Sequence, residues 1–338
     1  MVKARKYVVK KHFEGVPNRS DFEIVEYELP PLKDGEVLIK TEWISVDPYL
    51  RAYNRFVNVP YDQFGFQVGV VQESKNPNYP VGTKVVTHNG WCDYFITKEV
   101  KIIDGAMPGT LLYKLPDLKG LSPSLGVGAV GMPGATAYFG FLQICQPKAG
   151  ETVVVTGAAG AVGSLVGQIA KLKGCRVIGF AGSDEKVKFL EKELGFDKAL
   201  NYKTVDAHAA LKAAAPNGVD CYFDNVGGEL SSIIISQMNT NGRVSVCGSI
   251  SSYNSDPSKT PKATILQPSI VFKQLKIEGF MVWQWLGRWN EAFELLVDWI
   301  KSGKLKAPET VTVGFDKLYD ALVGMLAGEN SGKAVVQI

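Results

Sequence analysis

Histidine and cysteine are the scarce residues of this 338-residue chain, with three and five copies. No two of Cys92, Cys145, Cys175, Cys221 and Cys247 stand at Cys-x-x-Cys spacing, and His12, His88 and His208 form no His-x-x-x-His pair. Neither a zinc ribbon nor a helix-borne zinc site has a basis in the sequence, so no metal ligand is assigned. An odd number of scattered cysteines also speaks against a disulfide framework and suits a reducing compartment. A strong excess of one charge is missing too. Lys and Arg number 37 against 34 Asp and Glu, a net charge of +3, which lacks the basic footprint of a nucleic-acid binder. Residues Met1 to Lys11 never develop the apolar stretch of a signal peptide, and a cytoplasmic location is expected.

One long uncharged run does occur, from Leu121 to Pro147, and it exceeds the roughly 20 residues that span a bilayer. Pro123, Pro133 and Pro147, with glycines at 126, 128, 131, 134 and 140, break any continuous helix there. A buried hinge between domains is expected, and no membrane partner. What is present is ordinary globular material, 46% hydrophobic and 21% charged, in a length that fits two domains.

Before the uncharged run the pattern is short extended stretches between turn signals, at 36–40, 66–71, 84–87 and 93–97, which predicts a β-rich domain. After it the rhythm changes. Strands at 151–156, 176–180, 220–224 and 242–247 alternate with helices at 164–173 and 184–194, the mark of parallel βαβ units in a doubly wound sheet. Residues 291–301 read as an amphipathic helix, with Ala292, Leu295, Leu296 and Trp299 on one stripe, and Lys333 to Ile338 as a closing strand.

The strongest local signal, Thr156-Gly157-Ala158-Ala159-Gly160-Ala161-Val162-Gly163-Ser164, lies between the first strand and first helix of the βαβ run. Glycines there allow a tight turn and close backbone approach to a pyrophosphate, and the helix N-terminus supplies unpaired N–H groups. The Lys-Ser/Thr ending of a nucleoside-triphosphate loop is lacking, so a dinucleotide is favoured. NAD would call for a carboxylate at the tip of the second strand, which instead ends Phe180-Ala181-Gly182-Ser183, with Asp184 read as part of the next helix. Lys186 follows at the same corner and suits a 2′-phosphate, so NADPH is expected; a solvated surface lysine is the alternative.

The chain resembles the prostaglandin reductase family, also called leukotriene 12-hydroxydehydrogenase or alkenal reductase, in the zinc-free branch of the medium-chain dehydrogenase/reductase superfamily. The resemblance covers nearly the whole chain. It is carried by 46–51 (VDPYLR), 130–140 (VGMPGATAYFG), 160–164 (GAVGS), 182–186 (GSDEK), 201–203 (NYK), 223–228 (FDNVGG) and 247–254 (CGSISSYN). It implies an α/β protein, with a GroES-like β-rich catalytic domain at 1–125, a Rossmann doubly wound parallel-sheet domain at 126–311, and a return to the catalytic domain at 312–338. It further implies a homodimer and places Gly160, Ala161, Val162, Gly163 and Lys186 on the cofactor phosphates, with Gly157 cofactor-binding in the same glycine turn. Tyr202 and Asn225 are implied on the adenosine and ribose side, with Cys247, Gly248, Ser249, Ile250, Tyr253, Phe280, Met281, Val282 and Asn330 completing the NADPH site. Phe272 stands where some relatives have a tyrosine beside the nicotinamide, and Trp283, Trp285 and Trp289 make the following loop unusually aromatic.

The activity so implied is NADPH-dependent reduction of the carbon–carbon double bond of α,β-unsaturated ketones and aldehydes, 15-oxo-prostaglandins and 2-alkenals among them. NADP-dependent oxidation of leukotriene B4 belongs to the same family. Hydrogen-bond donors must stabilise the enolate oxygen, and Tyr253 and Tyr49 are the catalytic candidates, the first acting directly or through a nicotinamide ribose hydroxyl. Arg51 is a candidate guide for a substrate carboxylate or a cofactor phosphate, and Phe272 and Trp283 are candidate substrate contacts. Each has a plainer reading: packing for Tyr49 and the tryptophans, and a structural ion pair for Arg51. A quinone reductase of the same superfamily is the alternative enzyme, and a non-catalytic NADPH-binding protein the alternative of another class.

Overall fold

The computed structural model describes residues 2–99, 111–255 and 264–338. The chain divides into two units, Met1–Gly131 with Glu309–Ile338, and Met132–Pro308 between them in sequence. These divisions lie a few residues from the expected 125/126 and 311/312. The 3-10 turn Pro123–Val127 packs on strands of the first unit, and Glu309 already pairs with Lys333 of that unit.

The first unit is built from β1 (Lys3–Val9), β2 (Phe22–Glu28), β3 (Glu36–Ser45), the short helix α1 (Tyr49–Tyr53), β4 (Tyr61–Asp62), β5 (Gln67–Ser74), β6 (Lys84–Thr87), β7 (Tyr94–Lys98) and β8 (Leu112–Lys114). β3 organises it. Its register against β5 shifts between Leu38 and Ile39 and again between Thr41 and Trp43, and such bulges bend a strand. The other edge of β3 pairs with β7 through Glu36–Lys40 and, beyond the second shift, with a strand from the end of the chain through Trp43–Ser45.

The second unit runs α2 (Met132–Phe139), β9 (Thr152–Val155), α3 (Ala161–Leu172), β10 (Arg176–Ala181), α4 (Asp184–Lys192), β11 (Lys198–Asn201), α5 (Ala207–Ala214), β12 (Val219–Asp224), α6 (Gly228–Ser236), β13 (Met238–Val246), α7 (Gln267–Phe272), β14 (Lys276–Gly279) and α8 (Trp289–Lys301). Among the described residues its strands lie in the order β11-β10-β9-β12-β13-β14, all parallel. This is the doubly wound dinucleotide-binding order, with its switch point between β9 and β12. β9 is buried throughout, as a strand covered by helices on both faces must be. The uncharged run is not one continuous helix: it forms the 3-10 turn, then α2, then a π-helical turn Gly140–Cys145. No helix among the described residues is long and apolar enough to span a membrane.

Past Pro308 the chain adds β15 (Glu309–Val313), α9 (Leu318–Ala327) and β16 (Lys333–Gln337) to the first unit. β16 pairs parallel with β15 and antiparallel with β3. Phe315, Leu318, Leu322 and Val336 from this return pack in one cluster with Tyr7, Phe22, Leu50 and Trp91. Lys333 fastens it. Its ammonium, on a residue 3% exposed, donates to the carbonyls of Val46 (2.6 Å) and Ala334 (2.7 Å) and pairs with Asp47 Oδ1 at 3.1 Å. The second Asp47 oxygen accepts the Ser45 hydroxyl. Burial pulls the lysine pKa down, and Asp47 opposes that pull. Removing one member of a buried pair leaves an uncompensated charge, at a cost of about 3–5 kcal/mol. Lys333→Met is expected to lower the unfolding free energy by about that amount in urea titrations. Adding Asp47→Asn should recover part of the loss, and equal stability of wild type and Lys333→Met would refute the assignment.

Candidate functional site

At the carboxyl end of β9 the chain turns through Gly157, whose φ of 59° lies in the left-handed region that glycine adopts without strain. α3 then comes back close beneath the turn. A Cβ on Gly163 would sit 2.4 Å from the Gly157 carbonyl oxygen, so only glycine permits this approach. No side chain caps α3 at Gly160. The N–H groups of Ala161, Val162 and Gly163 belong to its first turn, where a helix offers no internal acceptor. An anion is the natural partner for such a turn.

The tip of β10 carries the second element. Ser183 caps α4 by accepting the Lys186 N–H, and Asp184 accepts Asn201 Nδ2 at 2.7 Å, which places it in the helical turn as the sequence suggests. Half-buried Lys186 has its pKa lowered, first by burial and then by the neighbouring ammonium of Lys203. Two cations thus share this corner, a field that favours an added phosphate. The Tyr202 hydroxyl lies beside Gly182, 3.1 Å from where a Cβ would be, with its ring 45% exposed.

The ends of β12 and β13 close the third side. Asp224, 3% exposed, accepts N–H bonds from Val226 (2.9 Å) and Gly227 (2.8 Å) and the hydroxyl of Ser231 (2.7 Å). Its carbonyl takes the N–H groups of Cys247 and Gly248, and that of Asn225 takes Ile250, so the two turns are zipped together. Asn225 is held in turn by its Nδ2 on the Thr156 carbonyl at 2.7 Å. The Tyr253 hydroxyl accepts the Ser249 N–H at 3.3 Å, and burial raises its pKa, so it is a neutral phenol at pH 7. Burial likewise pushes the Cys247 thiol up to about 12, which leaves it unreactive. These residues fit a 2′-phosphorylated dinucleotide: an uncapped helix N-terminus, a glycine cradle and paired ammoniums at the ribose corner.

The remaining candidates scatter. Phe280 packs over Gly140, where a Cβ would meet its ring at 2.2 Å, and tilts against Trp285 at 5.5 Å; Met281 is half exposed and Val282 buried. Trp283 is 6% exposed and packs on Trp289 at 5.6 Å, as its plainer reading expects. Phe272 is 82% exposed at the end of α7. In the first unit, Asn330 donates to its own turn at Gly332 O, 2.8 Å away. Arg51, also buried, donates to the carbonyls of Gly15 (2.9 Å) and Phe13 (3.5 Å). Its guanidinium ties down the 13–15 turn, and the guide role for Arg51 gains no support. Tyr49 is different: its hydroxyl is buried and has no hydrogen-bond partner among the described residues. Burial first, then Asp47 and Tyr53, raise its pKa well above the usual value, so it remains a donor.

Known proteins resemble the chain over nearly its whole length. Residues 5–104 match the family described as the N-terminal domain of oxidoreductase, and residues 161–302 the family described as zinc-binding dehydrogenase. Among the described residues no three His, Cys, Asp or Glu side chains gather as a metal site. The chain is 50% identical over 339 residues to Prostaglandin reductase 1 of Bos taurus, covering all of both. It is 38% identical over 349 residues to the 2-alkenal reductase (NADP(+)-dependent) of Nicotiana tabacum, covering 100% of this chain and 98% of that one. Among solved structures, CurA from Vibrio vulnificus in complex with NADPH superposes with a TM-score of 0.90 at 35% identity, over 98% of each chain.

Sequence reasoning gave no role to His88, which a lone histidine between a strand and a turn does not announce. It is 4% exposed, with neither ring nitrogen bonded among the described residues. Burial lowers its pKa from 6.5 to about 4, only partly offset by Asp47. Below pH 6.5 the unfolded chain binds a proton that the folded chain refuses until about pH 4, so stability falls as pH falls through that window. At 1.36 kcal/mol per pKa unit the loss is about 3 kcal/mol. Urea midpoints from pH 7 to 4 should therefore fall less steeply in His88→Gln than in wild type; parallel curves would show that His88 is not held neutral.

Proposed function

Because the chain belongs to the prostaglandin reductase family of medium-chain dehydrogenases/reductases, we propose that it uses NADPH to reduce the carbon–carbon double bond of α,β-unsaturated ketones and aldehydes, including 15-oxo-prostaglandins and 2-alkenals. The supporting observation is a doubly wound unit whose glycine turn and Lys186–Lys203 corner suit NADPH, in a chain 50% identical over its full length to a prostaglandin reductase. When bound, NADPH supplies the hydride that adds to the β-carbon.

The protein's own groups do the rest. The first turn of α3 and Lys186 hold phosphate, and Asn225, Tyr202 and the 247–253 turn hold the sugar and base side. The hydroxyls of Tyr253 and Tyr49 are neutral donors. A buried donor aimed where negative charge builds on the enone oxygen lowers the barrier more than one in water, and water delivers the proton to the α-carbon. We place the enzyme in the cytoplasm, a reading supported by cysteines that are all free, and its substrates in lipid metabolism. We also propose a homodimer. Among the described residues β14 pairs only with β13 and so leaves its other edge open, and Ile265, Val271, Phe272 and Met281 expose apolar surface in the same unit.

NADPH consumption with a 15-oxo-prostaglandin or 2-alkenal should far exceed that with a quinone; the reverse order would favour the quinone reductase. Tyr253→Phe is expected to lower turnover about 100-fold, the scale of one lost oxyanion donor, with little change in NADPH binding. Near-normal turnover would dismiss its direct and ribose-mediated roles together. Lys186→Ala should reduce the preference for NADPH over NADH by about 10- to 100-fold, the worth of one hydrogen bond to a charged group. An unchanged ratio of kcat/KM values would remove Lys186 from the cofactor site.

A further inference from the structure

The first unit gathers several buried polar atoms that no hydrogen bond among the described residues satisfies. They are the Tyr49 hydroxyl, Gln63 Oε1, both ring nitrogens of His88, Asn89 Oδ1 and the Trp91 indole N–H. Backbone bonds join two of their segments: Trp91 N–H donates to Gln63 O at 2.8 Å and Gly90 N–H to Gly65 O at 3.1 Å, so 63–65 and 90–91 run side by side. Rings link the rest. Tyr49 stacks on Phe64 with centroids 6.1 Å apart, and His88 tilts against Phe64 at 6.4 Å and Phe66 at 4.7 Å. A single orphaned polar atom is a small defect. A group of them, each costing about 1–3 kcal/mol, marks a place whose partners come from outside the protein.

The chemistry of the group is specific. Gln63 and Asn89 offer acceptors, Tyr49 and Trp91 offer donors, and a neutral imidazole offers one of each. Asp47, the carboxylate whose charge reaches His88, is already paired with Lys333 and bonded by Ser45. The group's own members, amides, a phenol, an indole and a neutral imidazole, carry no charge with which to recruit an ion. Phe64 and Phe66 supply apolar walls, and Tyr49, Phe64 and Asn89 are only half buried, so the group reaches the surface of its unit.

We propose that His88 determines substrate specificity: with its polar neighbours it forms a subsite for a neutral hydroxyl or keto oxygen carried on the substrate chain apart from the conjugated carbonyl. This rests on the enone-reductase reading above and adds to it a preference among enones. A site built around a hydrogen bond rejects the analogue that lacks the oxygen, because its own buried groups are then left unpaired. Internal water is the competing occupant, since such a group can equally hold a water with two to four partners.

The test uses two enals that differ by one hydroxyl, 4-hydroxy-2-nonenal and 2-nonenal, at saturating NADPH. Wild type should favour the hydroxylated enal in kcat/KM, mainly through KM. In His88→Phe the ratio of the two kcat/KM values is expected to fall about tenfold, the worth of one good hydrogen bond, and His88→Gln should restore part of it. Any general damage cancels in the ratio. A fall of less than threefold, or a wild type that does not distinguish the pair, overturns the proposal and leaves His88 to internal water. His88→Leu replaces the phenylalanine variant if that one does not fold. Failure of wild type to turn over 2-nonenal and 15-oxo-prostaglandins would instead overturn the enone reading itself.

Discussion

The buried ammonium of Lys333 is the constraint on which the first unit rests. An ion costs several kcal/mol to bury, and here two carbonyls and a carboxylate answer it. Strand propensity alone would let β16 slide along β3, because Ala334, Val335 and Val336 are all apolar and all buried. A one-residue slip would strand the ammonium on the wrong face. The ion pair therefore fixes register, and with it the point at which a chain that left the unit at Gly131 rejoins it. Asp47 carries the consequence forward. It stands two residues before Tyr49, its carbonyl receives the Leu50 N–H at 3.2 Å, and α1 starts from that bond. The position of the Tyr49 hydroxyl thus depends on a residue almost three hundred positions away in sequence.

A second regularity concerns charge. The side chains proposed for the chemistry, and those beside them, are held neutral by burial: Tyr49 and Tyr253 are raised, His88 is lowered, and the Cys247 thiol is raised. Charge is kept for Lys186 and Lys203, where a 2′-phosphate is the proposed partner. Enone reduction suits such a division. The developing enolate needs a donor that stays a donor, and a phenol with a raised pKa provides one without itself ionising near neutral pH.

The doubly wound half was legible because its physics is local. Strands buried on both faces read as apolar runs, glycines mark the β9–α3 turn, and Ser183 with Asp184 announces a helix start. β1 and β2 were harder. Their faces are half exposed and carry Lys, Arg and Glu, so in sequence they resemble polar linker. Within the proposed cofactor site, the glycine turn could be marked from sequence, because its left-handed Gly157 and the close approach at Gly163 admit only glycine. Long side chains could not be placed. Nothing in Val46-Asp47-Pro48-Tyr49-Leu50-Arg51 tells which of Tyr49 and Arg51 keeps an unsatisfied polar group. The structure decides it, since Arg51 spends its guanidinium on Phe13 and Gly15 while Tyr49 finds no acceptor among the described residues.

The three histidines show the same limit from the other direction. His12 is exposed and bonds the Asn54 carbonyl at 2.9 Å, His208 is exposed on α5, and His88 is enclosed. Their sequence contexts do not rank them; only the long-range pairing of β6 with β5 and β8 carries residue 88 inward, next to Phe64 and Phe66. Scarcity of histidine excluded a ligand cluster and so drew attention away from each one singly. Yet a lone imidazole kept neutral among unpaired amide, indole and phenol groups recognises oxygen without charge. Such a group discriminates by neutral hydrogen bonds, and it is set by a fold that sequence spacing alone does not reveal.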